Sequence, residues 1–412
     1  MGSKRKNSMN FNQNLTKLQS YPFERLNKLL AGNQTNTLLS PLNLSIGEPK
    51  HRPPEFVIEE MMSESAMNSS LSQYPATKGS QSLREAICSW FISRFETQIN
   101  PDTQVLPVNG TREGLFSIAQ SILSEGESSS VGMPNPFYQI YEGAALLAGS
   151  TPFFFNHETT NGNRPNFENV DHSAWQQCDL LYICTPANPS GHILSDEESK
   201  WLLEKSIEHD FVIVSDECYS EIYIDEAKKP KSLLQICSEL GNSSFKNCVV
   251  FHSLSKRSNL PGLRSGFIAG DDNVIKNFLK YRTYHGSAMP PHHQRASEKA
   301  WADEQHVIQN RQLYRQKFDA VRQILETSFS LDEPDGGFYH WINLDCSDEL
   351  FCQKLFQQQA VKVMPGSFLS RPVNRNGSLV NPGAKHIRVA WVAELAECIE
   401  AAERIVAFKE SL

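Results

Sequence analysis

The sequence lacks the features that mark several large classes of protein. No apolar run is long enough to span a bilayer, and no apolar stretch follows Lys4, Arg5 and Lys6, as a secretory signal requires. None of the nine cysteines stands in a C-x-x-C pair. That argues against zinc or a disulfide framework and for free thiols in a reducing, cytoplasmic setting, with no metal expected. Basic residues are the minority: 39 Lys and Arg against 47 Asp and Glu leave a net charge of −8. No basic tract follows Lys4–Lys6, so neither nucleic acid nor a membrane surface is an expected partner. There is no internal repeat and no long low-complexity linker. Small molecules remain the expected partners.

What is present is a chain of 412 residues, a length that suits two domains with a cleft between them. From Val131 to Gly270, short apolar runs alternate with helical patterns. Leu180–Cys184, Phe211–Val214, Cys248–Phe251 and Phe267–Ala269 read as buried strands. Phe137–Ala148, Ser195–Glu208 and Ser232–Leu240 read as helices between them. Wholly apolar strands alternating with helices predict an α/β domain built on a mainly parallel sheet, where ligands bind beyond the carboxyl ends of the strands. After about residue 290 the pattern changes. A long polar helix over 294–328, strands at 337–344, 361–364 and 387–390, and a final helix over 394–408 predict a smaller α+β domain. The expected division is a flexible segment 1–20, a large domain 48–289, and a small domain from 21–47 and 290–412.

Polar residues follow the predicted strands. In SLSKRSNLPGLRSG, Lys256 comes just after a buried strand, between Ser255 and Arg257. Partial desolvation there would leave its amine neutral and nucleophilic, as a Schiff-base lysine requires. Ser253, Ser255 and Arg264 can ligate a phosphate dianion. A surface turn is the plain alternative. In SDECY, Asp216 ends an apolar strand, where a lone carboxylate is costly and a protonated pyridine nitrogen would be a suitable partner. Tyr219 could donate to a phenolic oxygen. A helix cap and a core tyrosine would read the same way. Asn188 in TPANPSG is either a rigid turn or an amide aimed at that oxygen. Gly110-Thr111-Arg112 opens a helix, which is either an anion site or an ordinary helix start. Tyr138 is either a ring that stacks on a cofactor or a core aromatic beside Phe137 and Tyr141. Arg388, in an apolar strand, needs an anion: a substrate carboxylate or a structural partner.

The order of these residues along the chain resembles that of the class I/II aminotransferases, enzymes of fold type I that depend on pyridoxal 5′-phosphate (PLP). The likeness runs from about Tyr21 to about Phe408. It implies a large domain with a mainly parallel seven-stranded sheet. It makes Lys256 the Schiff-base lysine and proton carrier, Asp216 the partner of the pyridinium, and Asn188 and Tyr219 the holders of the ring oxygen. Ser253, Arg264 and the backbone of Thr111 and Arg112 would hold the phosphate, and Tyr138 would stack on the ring. Arg388 and the backbone of Gly47 would take the substrate α-carboxylate. Tyr74 matches a tyrosine that reaches a phosphate across a homodimer interface. The strings NLSIGEPKH, YPATKG, ECYSEIY, SLSKRSN and PGLRSGF look like the bacterial N-succinyl-diaminopimelate aminotransferases of lysine biosynthesis. Such a substrate has carboxylates at both ends, so a distal cation is expected among Lys50, Lys78, Arg257 and Arg282, with Lys78 favoured. The segment Gly336–His340 departs from the family's pattern, and His340 faces either the substrate or the core. The alternatives are an aminotransferase for aromatic or branched substrates, a PLP-dependent carbon–sulfur lyase, and a non-enzymatic regulator. The last would need a DNA-binding domain, and no basic helix-turn-helix stretch precedes Tyr21.

Overall fold

The computed structural model describes residues 11–124, 129–375 and 377–412. The larger part is built on a sheet whose strands lie in the order 105–108, 266–270, 248–253, 212–216, 178–184, 130–135, 151–158 and 164–165. The five strands from 248–253 to 151–158 pair in parallel. Gly266–Gly270 runs antiparallel between Cys248–Ser253 and Val105–Val108. These make up the seven strands that the resemblance implied; the apolar runs marked four of them, near 180–184, 211–214, 248–251 and 267–269. An eighth, the two-residue Arg164–Pro165, adds an antiparallel edge that its length hides in the sequence.

Side chains alternate across this sheet, as the pleat requires. Leu181, Ile183, Ile213 and Val250 enter one core, which also holds Trp90, Phe91 and Trp301. Leu180, Tyr182, Val214 and Val249 enter the other, with Leu115, Ile118 and Ala145. Burial on both faces explains why the strands read as continuous apolar runs. The helix Asp196–His209 starts where the acidic first turn placed it: Ser195 Oγ accepts from the Glu198 amide at 3.1 Å, and Glu198 accepts from the Ser195 amide at 2.7 Å.

The second unit has its own core around Phe318, Leu355, Ile387, Val389 and Ile405. Its sheet is Tyr339–Asn343, His386–Ala390 and Met364–Pro365, all antiparallel. The N-terminal part joins this unit, because Leu42–Asn43 pairs with Val361–Lys362 and Leu26 packs with Trp341 and Phe368. Two expectations need correction. The long polar helix is two helices, Pro291–Ala302 and Gln305–Leu325. The first of these places Ala296, Ala300 and Trp301 in the core of the larger unit, so the change of unit falls after it rather than at residue 290. Of the segment expected to be flexible, residues 1–10 lie outside the described residues; Gln13–Lys17 forms a 3-10 turn. Among the described residues, no helix is long and apolar enough to cross a membrane, and no cluster of metal-ligating side chains occurs.

Candidate active site

The carboxyl ends of three adjacent parallel strands come level with one another, with Cys184 opposite Asp216 and Asp216 opposite Phe251. The residues that follow these ends meet in a cavity of about 480 Å³ between the two units. Lys256 sits on a single helical turn, Leu254–Arg257, immediately after the strand Cys248–Ser253. Ser253 Oγ caps that turn by accepting from the Ser255 amide at 3.1 Å. Lys256 Nζ donates to the Gly47 carbonyl at 2.6 Å. Burial lowers the amine's pKa from 10.5 to about 8; Arg388 adds to this, while Cys218, Glu48 and Asp216 oppose it.

Asp216 is buried and holds two hydrogen bonds. Its Oδ2 accepts from Tyr141 Oη at 2.7 Å and its Oδ1 from the Cys218 amide at 3.2 Å. Burial still raises its pKa, with these hydrogen bonds pulling the other way. A cation against this carboxyl would relieve the penalty. Tyr141 escaped the sequence analysis because an aromatic three residues after Tyr138 on a helix reads as core.

A further group of residues on the cavity wall is of a kind that suits an anion. Gly110 adopts φ 79° just before the helix Thr111–Ile122, whose first residues, Thr111 and Arg112, line the cavity; the opening N–H groups of a helix suit an anion. A side chain at position 110 would collide with the Arg264 guanidinium. Arg264 lines the cavity with Thr111, Ser253 and Ser255, and its Nη1 donates to the Pro261 carbonyl at 2.8 Å. Arg112 Nε donates to Tyr138 Oη at 2.8 Å, which fixes the ring over the cavity.

At the other end, Arg388 Nη1 donates to Asn188 Oδ1 and Nη2 to the Ser45 carbonyl, both at 2.9 Å. Its Nε is buried without a partner. Asn188 therefore spends its amide oxygen on Arg388, and its NH2 is the group able to reach a ring oxygen. Tyr219 Oη lies 3.1 Å from Tyr339 Oη. Tyr339 lines the cavity and had not been singled out; the strand's alternation sends its neighbour His340 to the other side. There His340 Nδ1 accepts from Trp391 Nε1 at 2.7 Å, and burial lowers its pKa to about 3. His340 is a core residue.

The distal candidates do not meet in this cavity. Arg257 is buried, paired with Glu304 and donating to the Ala300 carbonyl at 2.7 Å. Arg282 is buried and held by Glu113 at 2.5 Å. Lys78 lies 3.5 Å from Asp102, Lys50 is exposed, and neither lines the cavity. Tyr74 is fully exposed, away from the cavity of its own chain. Arg112, by contrast, lines the cavity, as Arg264 and Arg388 also do.

The family profile for aminotransferase class I and II matches residues 40–405. The chain belongs to the class I and II aminotransferases. An aminotransferase from Neisseria meningitidis is 43% identical, with a TM-score of 0.91, over 96% of this chain and 99% of that one. The aminotransferase AspB from Helicobacter pylori is 33% identical, with a TM-score of 0.87, over 96% of this chain and 100% of that one. An LL-diaminopimelate aminotransferase from Natranaerobius thermophilus is 29% identical over 85% of this chain and 90% of its own. The transaminase OxyQ from Streptomyces rimosus, named for 4-dedimethylamino-4-oxo-anhydrotetracycline, is also 29% identical, over 88% of this chain and 92% of its own.

Class I and II aminotransferases depend on PLP, and the residues here fit that cofactor. The amine with a lowered pKa suits an aldehyde, the buried Asp216 suits a pyridinium, and the absence of a side chain at Gly110 leaves room for Arg264 beside a helix start, which would suit a phosphate.

Proposed function

We propose that this aminotransferase moves an amino group between glutamate and N-succinyl-2-amino-6-oxopimelate, forming N-succinyl-LL-2,6-diaminopimelate. The observation that carries the reading is that two arginines besides Arg264, namely Arg388 and Arg112, line the cavity that also holds Lys256. Arg388 has a buried, unpartnered Nε and suits the α-carboxylate; Arg112 suits a carboxylate at the far end. The motifs shared with N-succinyl-diaminopimelate aminotransferases support the same skeleton. So do the relatives named LL-diaminopimelate aminotransferase, which favour a second reading in which the substrate lacks the succinyl cap.

In this reading PLP, when bound, draws electrons from the substrate's α-carbon. Lys256 Nζ carries the proton from that carbon and returns it, as general base and then acid. Asp216 would keep the cofactor nitrogen protonated, and Tyr219 and Asn188 would hold the ring oxygen. Ser253, Ser255, Arg264 and the helix start at Gly110–Arg112 would hold the phosphate, and Tyr138 would stack on the ring. Tyr74 reaches the phosphate of the second subunit of a homodimer, which explains a tyrosine standing wholly in solvent on one chain.

A panel of keto acids with glutamate as donor tests the substrate. The succinylated keto-pimelate should give the highest kcat/KM, and Arg112→Ala should lower that value by about tenfold or more while leaving glutamate's KM within about twofold. Highest turnover with an aromatic or branched keto acid contradicts the proposal. Highest turnover with the uncapped skeleton selects the second reading.

A further inference from the structure

Tyr339 touches both ends of the site, although it neither binds nor reacts in the mechanism above. Its hydroxyl lies 3.1 Å from Tyr219 Oη. Its ring lies under the Arg388 guanidinium, 4.6 Å from centroid to Cζ. The hydroxyl occupies space that exists only because residue 47 is glycine: a side chain there would collide with Tyr339 Oη. Gly47 is the residue whose carbonyl receives Lys256 Nζ. The strand Tyr339–Asn343 pairs with His386–Ala390 so that Tyr339 sits opposite Ala390 and Trp341 opposite Arg388, which fixes the phenol beside the arginine.

We propose that Tyr339 is a positioning residue with two separable actions: its hydroxyl tunes Tyr219 toward the cofactor's ring oxygen, and its ring holds Arg388 in place for the substrate carboxylate. The inference rests on the assignment of Tyr219 to the ring oxygen. A phenol has one proton to donate. The bond from Tyr219 to an anionic ring oxygen is charge-assisted and stronger than a bond to a neutral phenol. With the ring oxygen present, Tyr219 therefore donates to it, and Tyr339 becomes the donor to Tyr219. Burial raises the pKa of both phenols, so both keep their protons. Hydrogen bonds in series polarise one another, which makes Tyr219 the better donor. The ring action is different in kind. Arg388 is held in its plane by Asn188 and the Ser45 carbonyl and on its face by the aromatic ring.

A donor on the ring oxygen favours loss of the proton which that oxygen shares with the lysine-linked nitrogen. The visible absorbance of the holoenzyme titrates with that proton. In Tyr339→Phe the midpoint should rise by about half a pH unit, less than in Tyr219→Phe, with glutamate's KM within about twofold of wild type because the ring remains. In Tyr339→Leu the midpoint should rise equally and glutamate's KM should rise by about tenfold, because the face of Arg388 is uncovered. A side chain that merely filled space would not divide its effects this way. The inference is overturned if Tyr339→Phe leaves the midpoint unmoved while Tyr219→Phe shifts it, or if the Phe and Leu variants raise KM alike. An unmoved midpoint in Tyr219→Phe itself would instead overturn the ring-oxygen assignment beneath it.

Discussion

At the scale of single residues, burial moves the pKa of Lys256 down and those of Asp216, Tyr219 and Tyr339 up. Lys256 is moved down to about 8 from 10.5 by burial. Its neutral form therefore predominates above about pH 8, and only that form condenses with an aldehyde. The rate at which apoenzyme takes up PLP should rise with pH through about 8 and level off above it. A rise centred near the unperturbed 10.5 would show that the amine is not desolvated. Arg257 was legible as a cation in the same segment, but sequence could not say where it pointed. Its guanidinium is enclosed by Trp90 and Trp301 and bonded to Glu304 and the Ala300 carbonyl. Glu304 remains partly exposed, so the ion pair itself contributes modestly. Arg257→Ala should cost about 1–3 kcal/mol of stability through the lost carbonyl bond and packing, without changing KM for the distal substrate in the folded fraction. A selective rise in that KM would restore Arg257 as a substrate contact.

At the scale of elements, most of the larger unit was written in the apolar runs. The strands 178–184, 212–216 and 248–253 lie within three residues of their expected starts, because burial on both faces leaves an unbroken apolar signature. Polar residues just past such runs are conspicuous, so Asn188, Asp216 and Lys256 could be named in advance. Aromatic residues carry no such mark. Tyr141 on its helix and Tyr339 on its strand look like core: Tyr141 is wholly buried and bonds to Asp216, and Tyr339 lines the cavity because of the strand face it occupies. That depends on how the smaller unit docks, information no local window contains. The same limit let His340 stand as a candidate. The break at 303–304, which divides one polar helical pattern into two helices with different cores, was hidden because both halves share the same period. The helix start at Gly110 offers an element-scale test. Its backbone lies where only glycine is comfortable, and a methyl group would strike Arg264. Gly110→Ala should cost about 1–3 kcal/mol in the apoenzyme's thermal melt and weaken cofactor binding, with inorganic phosphate competing less well. Unchanged PLP affinity would show that this helix start is not the phosphate cradle.

At the scale of the whole molecule, the two units meet at the cavity, and each contributes residues to its lining. Lys256, Asp216, Thr111 and Arg264 line the cavity from the larger unit, and Arg388 and Tyr339 from the smaller. The loop 45–51 links them: the Ser45 carbonyl meets Arg388, the Gly47 carbonyl meets Lys256, and His51 Nδ1 lies 2.8 Å from Asn310 Oδ1. Tyr74 belongs to this scale, since its proposed role needs a second copy of the chain. Sizing should show a dimer, and Tyr74→Phe should release cofactor more readily on dilution. A monomer that retains PLP as tightly as wild type contradicts that role. The central claim, that Lys256 is the residue joined to the cofactor, has a more direct test. The holoenzyme is reduced with borohydride, digested, and its peptides are mapped by mass. The account predicts a single pyridoxyl group, carried on Lys256; a pyridoxyl group on any other lysine, or none on the reduced protein, would contradict it.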